Sequence, residues 1–424
     1  MKKHLLQFLT VIPLIGILSQ DYDLEECVRA ALMNKETIKS SSLDVDYAKL
    51  GQKGSWSAIL PSVNFSGSVN ETNAAATSFS TDWRSSVNIS QTIYDGGAWW
   101  NTISGGRNDV EIAIHLERQI RIQVILSVVE AYFQLLKSQE LLEVHEKGIE
   151  ASNQNLQIVE KKYDLGAVSK TDLLKAKKNK GQSTVQVLTQ KTQVASALRN
   201  LRNAMGLLNT TTEVTVKRSK KPLSFLPDLE EALKIMETQN PELLRSQAQI
   251  RKSELDWKLT RSLRLPAVTA NLNYGTSVDD PSNFVSGYTE DWNMTGSVSL
   301  SIPIFSGMNL STREQQSKLI LTRKQLDHIT TENEKTLLLK STLDALMVAQ
   351  ETISIYNDIL TSAEEDLKLA QERYLLGAAT ILEVLDAQVA ETKARSDMIT
   401  TQYNARIDEA YLKATMGILD REFD

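Results

Sequence analysis

Few residues in this chain could do chemistry, and those that stand out are titratable side chains set twice at one spacing. Glu383 and Asp386 lie three residues apart, which puts both carboxylates on one face of a helix. At an offset of 211 their counterparts are Asp172 and Lys175. Carboxylates gathered on one face attract cations and, when crowded, raise one another's pKa. Such a pair does not make a catalyst. The four histidines, His4, His115, His145 and His328, show no metal-ligand spacing, and the sequence has no nucleophilic triad or phosphate-binding loop. Cys27 is the only cysteine, so no intramolecular disulfide can form, and its counterpart Ala232 marks it as a small packing residue. No enzyme, cofactor or metal site is expected.

Both pairs lie within a phrase that the chain states twice. Residues 163–176 read Y-D-L-G-A-V-S-K-T-D-L-L-K-A and residues 374–387 read Y-L-L-G-A-A-T-I-L-E-V-L-D-A. Tyr163/Tyr374, Leu165/Leu376, Gly166/Gly377, Ala167/Ala378, Leu174/Leu385 and Ala176/Ala387 are identical, and Ser169/Thr380 is conservative. Leu-Glu-Glu at 24–26 and 229–231 and Leu-Pro at 60–61 and 265–266 recur at offset 205. Gly96/Gly307 and Met205-Gly206/Met416-Gly417 recur at 211. The offset grows only between Pro61 and Gly96, where surface loops absorb a change of length. The chain is therefore two tandem copies of one unit, 20–209 and 228–424, joined by a linker at 210–227.

Composition narrows what the units can be. Of 424 residues 41% are hydrophobic and 24% charged, enough to bury a core. A net charge of −6 without a dense basic patch argues against nucleic acid as partner. Lys2 and Lys3 precede an apolar run from Leu5 to Leu18, too short to span a bilayer and matching a signal peptide over 1–19.

Each copy is expected to open with one helix, over 22–58 and 228–264, the second capped by Asp228. Two alternating stretches follow in each. Val63, Phe65, Gly67 and Val69 alternate with Asn64, Ser66, Ser68 and Asn70, and Val87, Ile89, Gln91 and Ile93 with Asn88, Ser90 and Thr92. The second copy has Val268, Ala270, Leu272 and Tyr274, then Met294, Gly296, Val298, Leu300, Ile302 and Ile304, alternating with Thr, Asn and Ser. Period two means strands, and ~9–13 residues suit a tilted bilayer crossing. An uncharged polar face suits a water-filled lumen better than the surface of a soluble sheet, which would carry Lys and Glu.

A very long helix comes next in each copy. Leu339, Leu346, Ile353, Leu360, Leu367 and Tyr374 recur every seventh residue, as do Val128, Leu135, Leu142, Ile149, Leu156 and Tyr163. Small residues dominate the companion seam, where His145 answers to Tyr356 and reads as a packing residue. A sustained heptad of this kind is a coiled coil, with ~100 Å of helix per copy. Shorter helices return over 170–207 and 381–417 and stack end to end with the opening ones. Four strands cannot close a barrel, and an open sheet edge cannot survive in lipid, so the chain must oligomerise. Two copies would give eight strands and three would give twelve.

The L-E-E starts, the L-P before each strand pair, the Y-D-G-G and F-S-G turns at 94–97 and 305–307, and the Y-x-L-G-A-x-[ST] tips together resemble the TolC family of outer-membrane efflux channels. The likeness covers essentially the whole chain past residue 19. It implies a homotrimer with one twelve-stranded transmembrane β-barrel, continued by a long antiparallel coiled-coil α-helical barrel in the periplasm. It implies no catalysis. The protein would be the exit duct of a tripartite efflux or type I secretion system, joined by a periplasmic adaptor to an inner-membrane exporter of the RND, ABC or MFS type. By the same likeness the tips Leu165, Gly166, Ala167 and Ser169, and Leu376, Gly377, Ala378 and Thr380, dock the adaptor. Glu383 and Asp386 would ring the entrance, six carboxylates in a trimer, while Tyr374 and Asp172 would tie neighbouring tip helices and hold it closed.

Two residues depart from the family pattern. Ala379 stands where some members carry a basic residue, and Lys175 stands where the second copy has Asp386, close enough in principle to pair with Asp386 or Glu383. The competing reading is a periplasmic coiled-coil adaptor or envelope spacer with a soluble β-domain.

Overall fold

The computed structural model describes residues 20–74, 77–207, 214–217 and 226–423. The expected signal peptide 1–19 and most of the linker 210–227 lie outside the described residues. Elements run β1 Gln20–Tyr22, α1 Leu24–Asn34, α2 Glu36–Ser55, β2 Ser62–Ala74, β3 Thr77–Tyr94, α3 Ala98–Asp164, α4 Lys170–Ala204 and β4 Val214–Val216. The second copy follows with α5 Leu229–Gln239, α6 Pro241–Ser262, β5 Ala267–Val278, the one-turn α7 Phe284–Gly287, β6 Trp292–Ser301, α8 Asn309–Leu375 and α9 Ile381–Met416. Apart from α7, the second copy repeats the first in order: α1, α2, β2, β3, α3 and α4 answer to α5, α6, β5, β6, α8 and α9.

The opening helices correct the sequence expectation, because each is two helices. Lys35 adopts extended backbone (φ −66, ψ 125) between α1 and α2. Asn240 does the same before Pro241, which takes the first turn of α6, where its missing N–H costs nothing. Asn240 caps that turn through Glu242 N and Leu243 N. Asp228 accepts from Glu230 N, the capping role expected of it.

Two compact units result, and they cut across the copies. One comprises Lys39–Ile120 and Glu237–Leu337. It holds a four-stranded antiparallel sheet in the order β2-β3-β5-β6. Register aligns the alternation of all four strands: Phe65, Val87, Tyr274 and Met294 lie abreast, and so do Ser66, Ser86, Gly275 and Asn293. Every apolar stripe therefore falls on one face and every Ser/Asn/Thr stripe on the other. Val63, Phe65, Val69, Met294, Val298 and Leu300 are left exposed on the apolar face. β3 is 18 residues long, more than the alternation suggested, and a bulge at Thr92/Tyr94 returns Tyr94 to the apolar face.

The other unit comprises the described residues of 1–38, 121–236 and 338–424. Its core follows the heptads: Val128, Leu135, Leu156, Val159, Leu339, Leu346, Leu360 and Tyr374 are buried. α4 and α9 close on Gly206 and Gly417, both left-handed, and Gly206 packs on Asn34 while Lys35 Nζ donates to Asn203 O at 2.8 Å. The end of α1 thus meets the end of α4, as end-to-end stacking requires. A short parallel pairing of β1 with β4 was not foreseen. Three-residue strands carry too little alternation to register as a pattern.

Candidate functional site

The repeated phrase is a pair of punctuation marks in the backbone. At the first tip Gly166 N donates to Tyr163 O (2.9 Å) and Ala167 N to Lys162 O (2.8 Å). At the second Gly377 N donates to Tyr374 O (3.2 Å) and Ala378 N to Arg373 O (2.8 Å). This nested pair of bonds is the Schellman ending, which needs a left-handed residue, and Gly166 and Gly377 sit at φ +71 and +78. Three residues past each glycine comes the cap of the next helix. Ser169 caps Asp172 N and Asp172 returns the bond to Ser169 N; Thr380 and Glu383 do the same. Conservation of type between the copies at these positions therefore reflects a shared reversal of the chain.

That reversal leaves Leu165 and Leu376 84% and 85% exposed, and a Cβ on either tip glycine would meet nothing within 4 Å. Ala167, Ala378, Ser169 and Thr380 are also exposed. The expected docking residues are thus gathered at two open apices. Beneath them the two hairpins share one dry core of Leu156, Val159, Ala176, Ala370, Tyr374, Ile381, Val384, Leu385 and Ala387.

Two basic residues that the sequence reading passed over organise this end. Lys162 and Arg373 occupy the same place in the two copies, the last turn of a helix, where cations suit the helix dipole. Their tasks differ. Lys162 crosses to the other tip, donating to Tyr374 O at 2.9 Å with its ammonium 4.0 Å from the Tyr374 ring centre. Arg373 stays on its own tip, donating to Ala378 O at 3.1 Å and pairing with Glu383 at 3.6 Å. Their shared offset was the available signal.

The expected gate residues are placed as follows. Glu383 and Asp386 are both exposed on α9. Hydrogen bonds from the Thr380 backbone and hydroxyl, then Arg373, hold the Glu383 carboxyl below the usual glutamate range, opposite to the rise that crowding would cause. Lys175 forms no ion pair with Glu383 or Asp386 among the described residues of one chain; Arg373 is the partner of Glu383. Tyr374 is 6% exposed, and its hydroxyl finds no hydrogen-bond partner among the described residues. Burial, then the nearby Asp172 carboxylate, pushes the phenol upward. His145 sits half-buried in its seam, Nδ1 unpartnered among the described residues and its pKa lowered by burial, a packing residue as expected. No group of His, Cys, Asp and Glu among the described residues could hold a metal ion.

Comparison with known proteins extends the likeness to the whole chain. The family model described as outer membrane efflux protein matches residues 27–207 and 232–418, one segment per copy. The outer membrane protein TolC of Escherichia coli is 23% identical across 99% of this chain and 87% of its own. The cation efflux system protein CusC of the same organism is 20% identical across 94% and 87%. Among solved structures, the CmeC outer membrane channel of Campylobacter jejuni superposes with a TM-score of 0.85 at 19% identity, covering 93% of this chain and 86% of CmeC. The outer membrane protein VceC of Vibrio cholerae gives 0.83 at 13%, covering 93% and 96%. With the doubled tips, the two-faced sheet and both copies matched, the chain belongs to the outer membrane efflux protein family.

Proposed function

We propose that this outer-membrane efflux protein is the exit duct of a tripartite export system. Three copies would close a twelve-stranded barrel, their helices forming a periplasmic tunnel whose entrance lies at the tips. The observation that carries this reading is the sheet. Its four strands put Ser, Asn and Thr on one face and exposed apolar residues on the other, and its outer strands β2 and β6 pair on one side only. Such edges call for further copies.

The apolar face has the right height for a membrane. Trp83 and Trp292 mark one border and Tyr94 the other, with Trp100 and Phe305 exposed just beyond Tyr94's end of the sheet. Eleven steps separate Trp83 from Tyr94 on β3. That is roughly 36 Å along the strand, or about 27 Å of height at a barrel tilt near 40°, close to the apolar band of outer-membrane barrels.

Each copy of the unit, 20–209 and 228–424, would supply one hairpin of strands and one of helices, with 210–227 bridging them. The partners follow from that build: two further copies of the chain, outer-membrane lipid, a periplasmic adaptor at the tips, and an inner-membrane pump of the RND, ABC or MFS class. Glu383, Asp386, Asp172, Tyr374 and Lys175 would line or hold the entrance. The duct itself transfers no chemical group. Reconstitution in planar bilayers tests the reading: small, cation-selective channels are expected, and a protein that never conducts, or that washes from membranes in buffer without detergent, would sink it.

A further inference from the structure

About 16 Å behind the tips, buried polar side chains tie three helices together. Asn155 and Gln388 each lie eleven residues from their own tip glycine, Gly166 and Gly377. Asn155 Nδ2 donates to Gln388 Oε1 at 2.9 Å, and Gln388 Nε2 donates to Gly148 O at 3.1 Å and Ser152 Oγ at 3.2 Å. Ser152 Oγ in turn donates to Gly148 O at 2.9 Å, lies 2.9 Å from Ser183 Oγ, and accepts from Asn179 Nδ2 at 3.2 Å. Ser152, Asn155 and Gln388 are 1%, 8% and 5% exposed. The cluster spans α3, α4 and α9, so it joins the returning helix of the second copy to the hairpin of the first.

We infer that this polar clamp is the fulcrum of the entrance, confining opening to the tip segment below it. The inference rests on the reading of the tips as a gated entrance. Parting α3 from α9 at the clamp would strand several buried donors and acceptors where water does not reach, the costliest way to break a hydrogen bond. A polar group in a coiled-coil seam also fixes register, because any slip leaves it unpaired. Below the clamp nothing comparable joins the hairpins. The apolar core there can slide without stranding a polar atom, and the crossing contact is Lys162 on Tyr374. Lys162 is half-buried, so water can take over the Tyr374 carbonyl's place when the ammonium leaves. The joint therefore yields between clamp and apex, with Lys162 as the latch.

The test uses full-length protein carrying Cys27→Ala, which removes the only native thiol and installs the residue its counterpart already has. Spin labels go on Leu165→Cys with Leu376→Cys below the clamp, and on Leu188→Cys with Asn404→Cys above it; all four positions are exposed. Lys162→Gln releases the latch. Expected are a rise in single-channel conductance of about two-fold or more, a lower-pair shift of about one helical turn, roughly 5 Å, and an unmoved upper pair. Adding Gln388→Leu then sets the upper pair moving. An upper pair that shifts with the clamp intact, or stays fixed without it, overturns the fulcrum. A conducting channel that Lys162→Gln leaves unchanged overturns the latch. A wild-type protein that does not conduct at all strikes the duct reading instead.

Discussion

Substituting the tip glycines separates folding from docking, because the structure sets the folding cost and leaves the docking cost to something outside the chain. Gly166 and Gly377 are left-handed, so any side chain there costs about 1–2 kcal/mol of backbone strain. Restricting the unfolded chain returns about 0.4–1 kcal/mol, leaving a net cost of about 1 kcal/mol. No neighbour lies within 4 Å of the added Cβ, so that cost is nearly the same for Ala and for Arg, and smaller for Asn, which tolerates this conformation. For a chain of this size it amounts to a melting shift of no more than about 4 °C. Arg nevertheless puts a cation at an apex where the exposed Leu165 or Leu376 offers only apolar surface. If a partner's backbone docks there, losing about 2 kcal/mol of contact weakens binding roughly thirty-fold. The assay is dye efflux from cells lacking their own duct, with trimer recovered from the membrane as the folding control. Ala and Asn, small and uncharged, should both still export, and the Gly166→Arg/Gly377→Arg protein not at all, with equal trimer throughout. Normal efflux by the Arg pair, or efflux falling only in step with melting, would refute the reasoning.

Three other outcomes follow from particular contacts. The Glu383 carboxyl is depressed, so the stability it lends the start of α9 is present above its unfolded value and lost only as pH falls through the lower folded one. Its share of cation selectivity should thus persist through pH 4.5, the ordinary glutamate value, and because Arg373 already faces Glu383, Asp386→Ala should move the reversal potential more than Glu383→Ala. On β6, Val298→Lys should cost about 2–4 kcal/mol and block insertion, whereas its neighbour Ser297→Lys should insert and shift ion selectivity; equal insertion by both would undo the assignment of faces. Met308 adopts φ +65 where the first copy has Gly97, so Met308→Gly should leave trimer melting unchanged or raise it by a few degrees, and a lowered melting point would count against strain there.

Much of the fold was legible because it is periodic. Tyr374, Leu360, Leu346 and Leu339 are spaced by multiples of seven with no proline between Pro303 and the end of the chain, and they are buried in the structure. The strands were legible for the same reason at period two. What escaped was local and aperiodic. Lys35 carries no sequence signal for a helix break, and the break is enforced where α1 ends against Asn203 and Gly206. The candidate site was read in part: Glu383 and Asp386 were found as carboxylates on one face, but the cap that holds Glu383 needed the backbone of Thr380 to be seen. Ser-x-x-Asp and Thr-x-x-Glu are capping patterns in their own right, and their place directly after the tip glycines was the signal.

The two tips have nearly the same backbone, so any division of labour between them must lie in side chains that differ. At the equivalent last-turn position the first copy places a lysine, whose compact ammonium reaches across to the Tyr374 ring and carbonyl. The second places an arginine, whose planar fork serves Ala378 O and Glu383 on its own hairpin. Lysine thus couples the hairpins, while arginine stiffens one of them and partly neutralises its acid. Asp386, exposed and in no ion pair among the described residues, is then the carboxylate left free to meet a cation. Its counterpart is Lys175, so a trimer would not carry six equivalent acids on its tip helices. It would carry three free carboxylates, three arginine-paired ones and three lysines on the adjoining helices. If the tips form the proposed entrance, cation preference there depends on which of these face the axis, and with Glu383 paired to Arg373 the larger part would fall to the exposed Asp386.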